Sequence, residues 1–393
     1  MTRRDIPFIF LCLAALAWPW AKGISSVATG LLALSCLVNK GDFKNWSKHS
    51  MFWPTLALLG AAILAAIWSE QQDQAWKGVK TLWGLLWIFL AQAVMRTRSD
   101  FRPPTLIFFL SAAAAGIYGW LETIGFFGPA VPRSCGTHSF FTYSFLMTLS
   151  ALWSFRYIWS APIRSSWPML IVFLGSCFGI VAEGSIAAVV AFGFGFCFIL
   201  LFSSNRKQWW PATVSLLVLL AAAYFMADSV VVGVKITRLW DSLADSGTSG
   251  GIRVTLWRAS LYLFLESPIF GCGLGDFRSA FEQVFHANDW FEGRVLPPNQ
   301  IIHAHSTYFH LLATQGIFGV SVFVWWWVSL VRTLWNARVY AAYWVSVSFV
   351  GLVAFLGMGI AEPVFASYSL AAVLTPCGVA IALANKAKRS LES

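Results

Sequence analysis

Apolar runs long enough to cross a lipid bilayer recur in this chain from one end to the other, and no stretch between them has the composition of a soluble domain. Each run of about 18 or more residues spans a hydrocarbon core of ~30 Å at ~1.5 Å per residue. Hydrophobic residues make up 58% of the 393 and charged residues 11%, against roughly a quarter charged in ordinary soluble domains. The expected fold is therefore all-α and integral to the membrane, one polytopic domain over residues 1–393. Counting the runs gives about twelve transmembrane helices, near 6–20, 22–38, 51–68, 77–95, 104–121, 137–158, 167–182, 184–203, 210–227, 306–331, 340–360 and 366–384. The nearly unbroken run 167–203 is divided at Glu183-Gly184-Ser185, because a carboxylate at mid-bilayer is costly and a turn there keeps the parity of the spans.

Orientation follows from Lys and Arg, which concentrate in cytoplasmic connections. With both termini cytoplasmic, that side holds Arg3, Arg4, Lys40, Lys44, Lys48, Arg96, Arg98, Arg102, Arg156, Arg164, Arg206, Lys207, Arg332, Arg338 and the cluster Lys386, Lys388, Arg389, 17 of the 27 Lys and Arg. Arg3-Arg4 before an apolar stretch also resembles the start of a cleaved signal peptide, but a second span follows at once and parity works with the first one kept. The net charge of +10 is scattered in twos and threes at span ends, a pattern suited to anionic lipid headgroups rather than to nucleic acid. Five of the seven cysteines lie inside spans, where Cys acts as a small hydrophobe. Only Cys135 and Cys272 fall on the oxidising side, and nothing in the sequence pairs them.

Most connections are short, as packed helices require. The stretch 228–304, between the ninth and tenth spans, is not, and a loop of that length in a compact protein is usually functional. It carries Lys235, Arg238, Arg253, Arg258, Arg278 and Arg294, with His286, His303, His305 and His310 in or beside it. Residues 252–266 read as a helix stopped by Ser267-Pro268, with Arg253, Trp257 and Ser260 on one face. The segment that follows holds Gly271, Gly273 and Gly275, which permit a tight, close-packed turn; it lacks the spacing and the preceding strand of a dinucleotide fingerprint. A second short helix is expected over 276–287, before Pro297-Pro298 closes the irregular region.

His303 and His305 stand where the chain re-enters the membrane. A metal site would need three or four ligands at set spacings, which the sequence does not supply; a catalytic histidine and a structural interfacial one both remain open readings. An unperturbed imidazole is suited to base work near neutral pH. Arg253 and Arg258 read either as a solvated or headgroup-contacting helix face or as a planar cationic site for a diphosphate. The 22 tryptophans mostly mark span ends, an aromatic belt, while Trp257 and Trp290 could stack on sugar rings. Three carboxylates, Glu122, Glu183 and Glu362, sit at the outer ends of spans; Glu183 is the one carried into the candidate site, the others reading as interfacial caps.

His305-Ser306, nine residues to Gln315, then Gly316, Ile317-Phe318 and Gly319 resemble the C-terminal signature of the O-antigen ligase and polymerase superfamily of bacterial envelope enzymes. Arg253, Trp257 and the run Ser267-Pro268-Ile269-Phe270-Gly271-Cys272-Gly273 are similar to that family's upstream pattern, and Arg133-Ser134-Cys135-Gly136-Thr137 more weakly to an Arg-x-x-Gly segment. The resemblance implies a GT-C-type membrane glycosyltransferase of the bacterial inner membrane with its active site facing the periplasm. It implies transfer of a glycan from an undecaprenyl diphosphate carrier to a sugar hydroxyl of lipid A-core or another glycan, without metal or other cofactor. His305 would be the catalytic base and Arg253 a holder of the diphosphate, with His303, Ser306, Trp257, Arg258 and Glu183 in the substrate site and Gly271, Gly273, Gly275, Gly316 and Gly319 as structural turns. Where family members carry Ser-Arg-Gly, this chain has Glu183-Gly184-Ser185, so that cationic role would pass to Arg133, Lys235, Arg238 or Arg258. A repeat-unit polymerase and a protein O-oligosaccharyltransferase are rivals within the class; a small-anion transporter is the rival outside it, although the spans here are almost free of charge and the polar groups cluster in an external loop.

Overall fold

The computed structural model describes residues 5–38, 49–97, 100–131, 134, 139–160, 163–202, 249–288, 301–362 and 367–392. The expected ninth span, the first part of the expected loop, Arg133, Lys235, Arg238, Cys135 and Trp290 lie outside the described residues. Among the described residues every regular element is helical: α1 (Ile6–Ala17), α2 (Lys22–Val38), α3 (Phe52–Ile67), α4 (Gln72–Thr81), a 3-10 turn (Leu82–Leu86), α5 (Trp87–Thr97), α6 (Arg102–Thr123), α7 (Phe140–Ser160), α8 (Ile163–Glu183), α9 (Ile186–Leu201), α10 (Ser249–Glu266), α11 (Phe277–Ala287), α12 (Thr307–Ala361) and α13 (Ser367–Glu392). Among the described residues five stretches are long and apolar enough to cross a membrane, Gln72–Met95, Arg102–Thr123, Ser166–Glu183, Thr307–Ala361 and Tyr368–Glu392; α1, α2, α3 and Ala187–Leu201 are shorter apolar helices. Large apolar side chains such as Ile24, Val27, Leu201 and Phe202 are exposed on the outside of the bundle, the surface a lipid solvent would cover.

Without a hydrophobic difference between helix and lipid, helices in a bilayer associate through close backbone approach. The sequence provides it where α6 meets α8. A Cβ at Gly116 would lie 2.0 Å from the carbonyl oxygen of Gly175, and one at Gly179 2.9 Å from the Cα of Gly116, so the Gly175-x-x-x-Gly179 face lies directly on α6. Buried hydroxyl and indole groups add interhelical bonds: Ser176 Oγ donates to Ser150 Oγ at 2.8 Å, Trp153 Nε1 to the Val347 carbonyl at 3.0 Å and Trp326 Nε1 to Thr55 Oγ1 at 3.1 Å. Where the sequence suggested a turn at Glu183-Gly184-Ser185, α8 stops at Glu183, Gly184 takes φ 68 and α9 begins at Ile186.

The central element is α12, which packs against α3, α7, α9, α10 and α13. It runs for 55 residues, which would be ~80 Å if straight, yet its two ends touch: Thr307 Oγ1 donates to the Glu362 carbonyl at 3.1 Å and Tyr308 Oη to the Leu356 carbonyl at 2.8 Å. The helix is therefore folded back on itself, at Ala341, where φ is −140 and ψ is 43. The sequence reading placed two separate spans here, with a connection over residues 332–339. That connection is helical instead, because residues 332–340 (RTLWNARVY) contain no Gly or Pro to stop a helix.

A second break occurs at Gly316, with φ 60 and ψ −159, a conformation open only to glycine. It interrupts the ladder of α12 and leaves carbonyl and N–H groups without helical partners. The segment 267–276 supplies them. Cys272 and Gly273 donate to the Ala313 and Thr314 carbonyls at 2.9 and 3.2 Å, while Ile317 and Phe318 donate to the Pro268 and Ile269 carbonyls at 2.9 and 3.0 Å. The same segment ties down α3 and α4: Leu274 donates to the Ala65 carbonyl at 3.2 Å, Gly275 to Ser69 Oγ at 3.1 Å, and the Asp276 carboxylate accepts the N–H groups of Glu70 and Gln71 at 2.9 and 2.7 Å. That carboxylate satisfies backbone donors at the start of α4, which lacks a side-chain cap of its own.

The approach leaves no room for side chains at the crossing. A Cβ at Gly271, itself at φ 71, would lie 2.4 Å from the Thr314 carbonyl carbon, and one at Gly316 2.6 Å from that of Ile269. Gly271→Ala and Gly316→Ala are each expected to destabilise the protein by about 2 kcal/mol or more, read as a lowered Tm in detergent. Gly60→Ala, at a helical position with open space around it, is the control expected to keep or raise the Tm; equal Tm values for all three variants would contradict the interlock.

Candidate functional site

The fold-back of α12 places its first residue beside its last, so His305 and Ser306 at one end meet Gly359 to Glu362 at the other. Ser306 Oγ donates to the Gly359 carbonyl at 3.3 Å. His305 has φ 47, the one non-glycine residue with positive φ among the described residues. Such a conformation costs free energy and persists only where the surroundings hold it. Here the hold is local: the His305 N–H donates to Nδ1 of His303 at 3.3 Å.

Glu362 is fully buried and partnered on both carboxylate oxygens. Oε1 pairs with an Nη of Arg253 on α10, and Oε2 lies 3.4 Å from Nδ1 of His305. Arg253 Nε also donates to the Ala361 carbonyl at 3.1 Å, so its guanidinium grips the end of α12 through side chain and backbone together. A buried charge is tolerated when paired and hydrogen-bonded, and each member of this trio supplies that to another. A carboxylate at Nδ1 fixes the ring's orientation and leaves Nε2 as the other ring nitrogen. The His305 ring lies nearly perpendicular to that of Phe141 on α7, with centroids 6.4 Å apart.

The sequence reading carried His305, Arg253, His303 and Ser306 into one site, and the structure brings these four together. It places the remainder differently from one another. Trp257 lies stacked on Phe309, centroids 5.3 Å apart and planes 14° from parallel. Arg258 is exposed on α10. Glu183 is buried at the end of α8, where the neighbouring Ala182 carbonyl accepts the Ser134 N–H at 3.3 Å and Ser134 Oγ donates to Glu122 at 2.6 Å. Gly273, Gly275 and Gly319 pack against Asp276, the Gln71 carbonyl and the Gln315 side chain respectively. The residue the sequence reading passed over is Glu362, taken there as an interfacial cap. Its signal was present, a carboxylate at the end of a span, but its partners stand 57 and 109 residues away, and no local pattern points to them.

A cavity of about 820 Å³ is bounded by α3, α4, α11 and α12, with His303 and His310 in its wall. The His303 and His305 rings are 4.4 Å apart. Among the described residues no group of three His, Cys, Asp or Glu side chains has the arrangement to hold a metal ion.

Residues 170–324 match the O-Antigen ligase family model. The matched region runs from α8 to the first limb of α12 and so contains the helix with Arg253, the glycine segment and His305. The match agrees with the resemblance to the O-antigen ligase and polymerase superfamily over that region, in a chain with several helices long and apolar enough to cross a membrane. No curated protein matches the chain. Glu362 lies beyond the matched region, so the O-antigen ligase match and the carboxylate partner of His305 are separate observations.

Burial, followed by the neighbouring His305, His310 and Arg253, pushes the His303 imidazole down to about 3. An unfolded chain takes up that proton near ~6.5, so the contribution of His303 to stability is complete above that pH and is lost as pH falls toward 3. The Tm of the wild type is expected to drop between pH 7 and pH 5, and that of His303→Asn to drop less; parallel slopes would contradict the burial of a neutral ring.

Proposed function

We propose that the protein transfers a glycan from an undecaprenyl diphosphate carrier to a sugar hydroxyl of lipid A-core, on the periplasmic side of the bacterial inner membrane. The observation that carries this reading is the buried Glu362 carboxylate set between His305 and Arg253, with His303, whose ring lies 4.4 Å from that of His305, in the wall of a cavity of about 820 Å³. His305 is the base: Nε2 takes the proton of the acceptor hydroxyl while Glu362, at Nδ1, offers a negative neighbour to the charge that forms on the ring. The hydroxyl oxygen attacks the anomeric carbon from the side opposite the diphosphate, the carbon–oxygen bond to the carrier breaks, and the diphosphate leaves with the electron pair, inverting the centre. Such a leaving group needs stabilisation of charge rather than protonation, so the transfer proceeds without metal or other cofactor.

Arg253 contributes in two ways in this reading. It fixes the carboxylate that orients His305, and its positive charge lies beside the place where the diphosphate departs. Arg258, Arg133, Lys235 and Arg238 are the further cations, with His303, Ser306, Trp257 and Glu183 shaping the substrate site. Twelve spans with both termini cytoplasmic would present donor and acceptor to this site from the outer leaflet. Polymerisation of repeat units uses the same geometry with a second lipid-linked glycan as acceptor.

The test is the lipopolysaccharide banding profile of cells whose only copy carries His305→Ala, at equal membrane abundance to wild type. The loss of a general base costs on the order of 10²-fold or more in rate. Loss of the ladder, with intact core and accumulated lipid-linked polymer, is expected; single-repeat addition would transfer the reading to polymerase, and an unchanged profile would remove His305 from the reaction.

A further inference from the structure

His303 is bonded at one ring nitrogen and open at the other. Its Nδ1 accepts the backbone N–H of His305 at 3.3 Å, so the neutral ring carries its proton on Nε2. Burial keeps the ring neutral near pH 7 by pushing its pKa down to about 3. Among the described residues Nε2 has no hydrogen-bond partner, yet it is accessible to water, unlike the enclosed Nδ1 of His310. His303 lines the cavity of about 820 Å³. The two nitrogens of an imidazole point away from each other, so a ring anchored to the backbone through Nδ1 presents Nε2–H as a fixed donor at that wall.

The surroundings of that donor decide what it meets. Thr307, the first residue of α12, lines the same cavity. Ser306, at the N-cap, donates its hydroxyl to the Gly359 carbonyl at 3.3 Å and makes no side-chain cap to its own helix, so the positive end of the α12 dipole opens toward this space without one. Lys77 of α4 is in the wall and has no carboxylate partner among the described residues. The other cation there, Arg278, is paired through Nε with Glu282 Oε1 at 3.1 Å, so these two offset each other. An N–H donor, a helix N-terminus without a side-chain cap and one uncompensated cation favour an oxyanion over a neutral hydroxyl. We propose that Nε2–H of His303, at the start of α12, binds a phosphoryl or carboxylate oxygen of a transfer substrate. The assignment rests on the glycan-transfer reading and gives His303 a bond to substrate of its own. The oxygen belongs either to the carrier diphosphate or to an acidic sugar of the glycan, which share this chemistry.

The experiment uses the purified full-length protein, with inorganic diphosphate and glucuronate titrated calorimetrically into wild type, His303→Asn and His303→Gln. The asparagine carbonyl oxygen stands in for Nδ1 and leaves no donor at the place of Nε2; the glutamine amide N–H stands in for Nε2 and leaves no acceptor at the place of Nδ1. The loss of one charge-assisted hydrogen bond weakens binding about tenfold or more. That loss is expected in His303→Asn for whichever anion the wild type holds more tightly, with His303→Gln close to wild type, and the anion affected names the source. A His303 that only holds the backbone gives the opposite order. Wild-type affinity in His303→Asn, a loss in His303→Gln as large as that in His303→Asn, or binding of neither anion to the wild type overturns the assignment. Each variant decides by itself if a thermal melt shows the other to be unfolded: undiminished binding in His303→Asn, or about tenfold weaker binding in His303→Gln, is sufficient against it. Transfer from lipid-linked donor, followed in the same wild-type preparation, keeps the two readings apart: transfer without anion binding removes the oxyanion site alone, and anion binding without transfer removes the reaction alone.

Discussion

A buried carboxylate between a guanidinium and an imidazole is the interaction on which the rest of this structure depends. Glu362 has no access to solvent, and a charge in that position is sustained only by partners that are themselves held in place. Arg253 is held by α10 and by the Ala361 carbonyl; His305 is held by a left-handed backbone and by His303. None of these groups is near another in sequence. They meet because α12 folds back at Ala341 and so presents the start of one limb to the end of the other. The same trio that stabilises the end of the hairpin fixes the ring that we assign as the base, which makes the candidate chemistry a property of the fold rather than of a mobile loop.

The glycine segment serves the same end from the other side. Breaking a helix at Gly316 is costly unless the freed groups find partners, and residues 267–276 provide them in both directions while bridging to α3 and α4. The segment therefore ties α3, α4 and α12 into one unit, against which the cavity is shaped. A rigid wall is what an oriented transfer requires, because misplacement of the hydroxyl by ~1 Å is enough to cost about 10²-fold in rate.

How much of this the sequence disclosed depends on how far apart the interacting groups lie. The apolar runs anticipated helical segments because length and hydropathy are local properties, and the helices over 252–266 and 276–287 were visible in their own stop and start signals, observed as Ser249–Glu266 and Phe277–Ala287. Gly271 and Gly316 stand out as turn formers, but nothing local shows that the backbone of 313–315 fills the space beside Gly271, or that of 269–271 the space beside Gly316. The connection after Arg332 was misplaced because charge at a span end reads as a loop, whereas the residues there continue the helix. Glu362 is visible in the sequence, but its partners are not. A carboxylate at the end of a span has the same appearance whether it caps the interface or orients a histidine, and only the tertiary fold distinguishes the two.

The most direct measurement of the central claim is a double-mutant cycle on His305 and Glu362, with initial rates of glycan transfer from lipid-linked donor to lipid A-core followed for the wild type, His305→Ala, Glu362→Gln and the double variant in matched proteoliposomes. If Glu362 acts by orienting His305, the carboxamide lowers the rate on its own but adds nothing once the imidazole is gone, so that the double variant transfers no more slowly than His305→Ala. Losses that multiply in the double variant, or a Glu362→Gln protein as fast as wild type, would contradict the account.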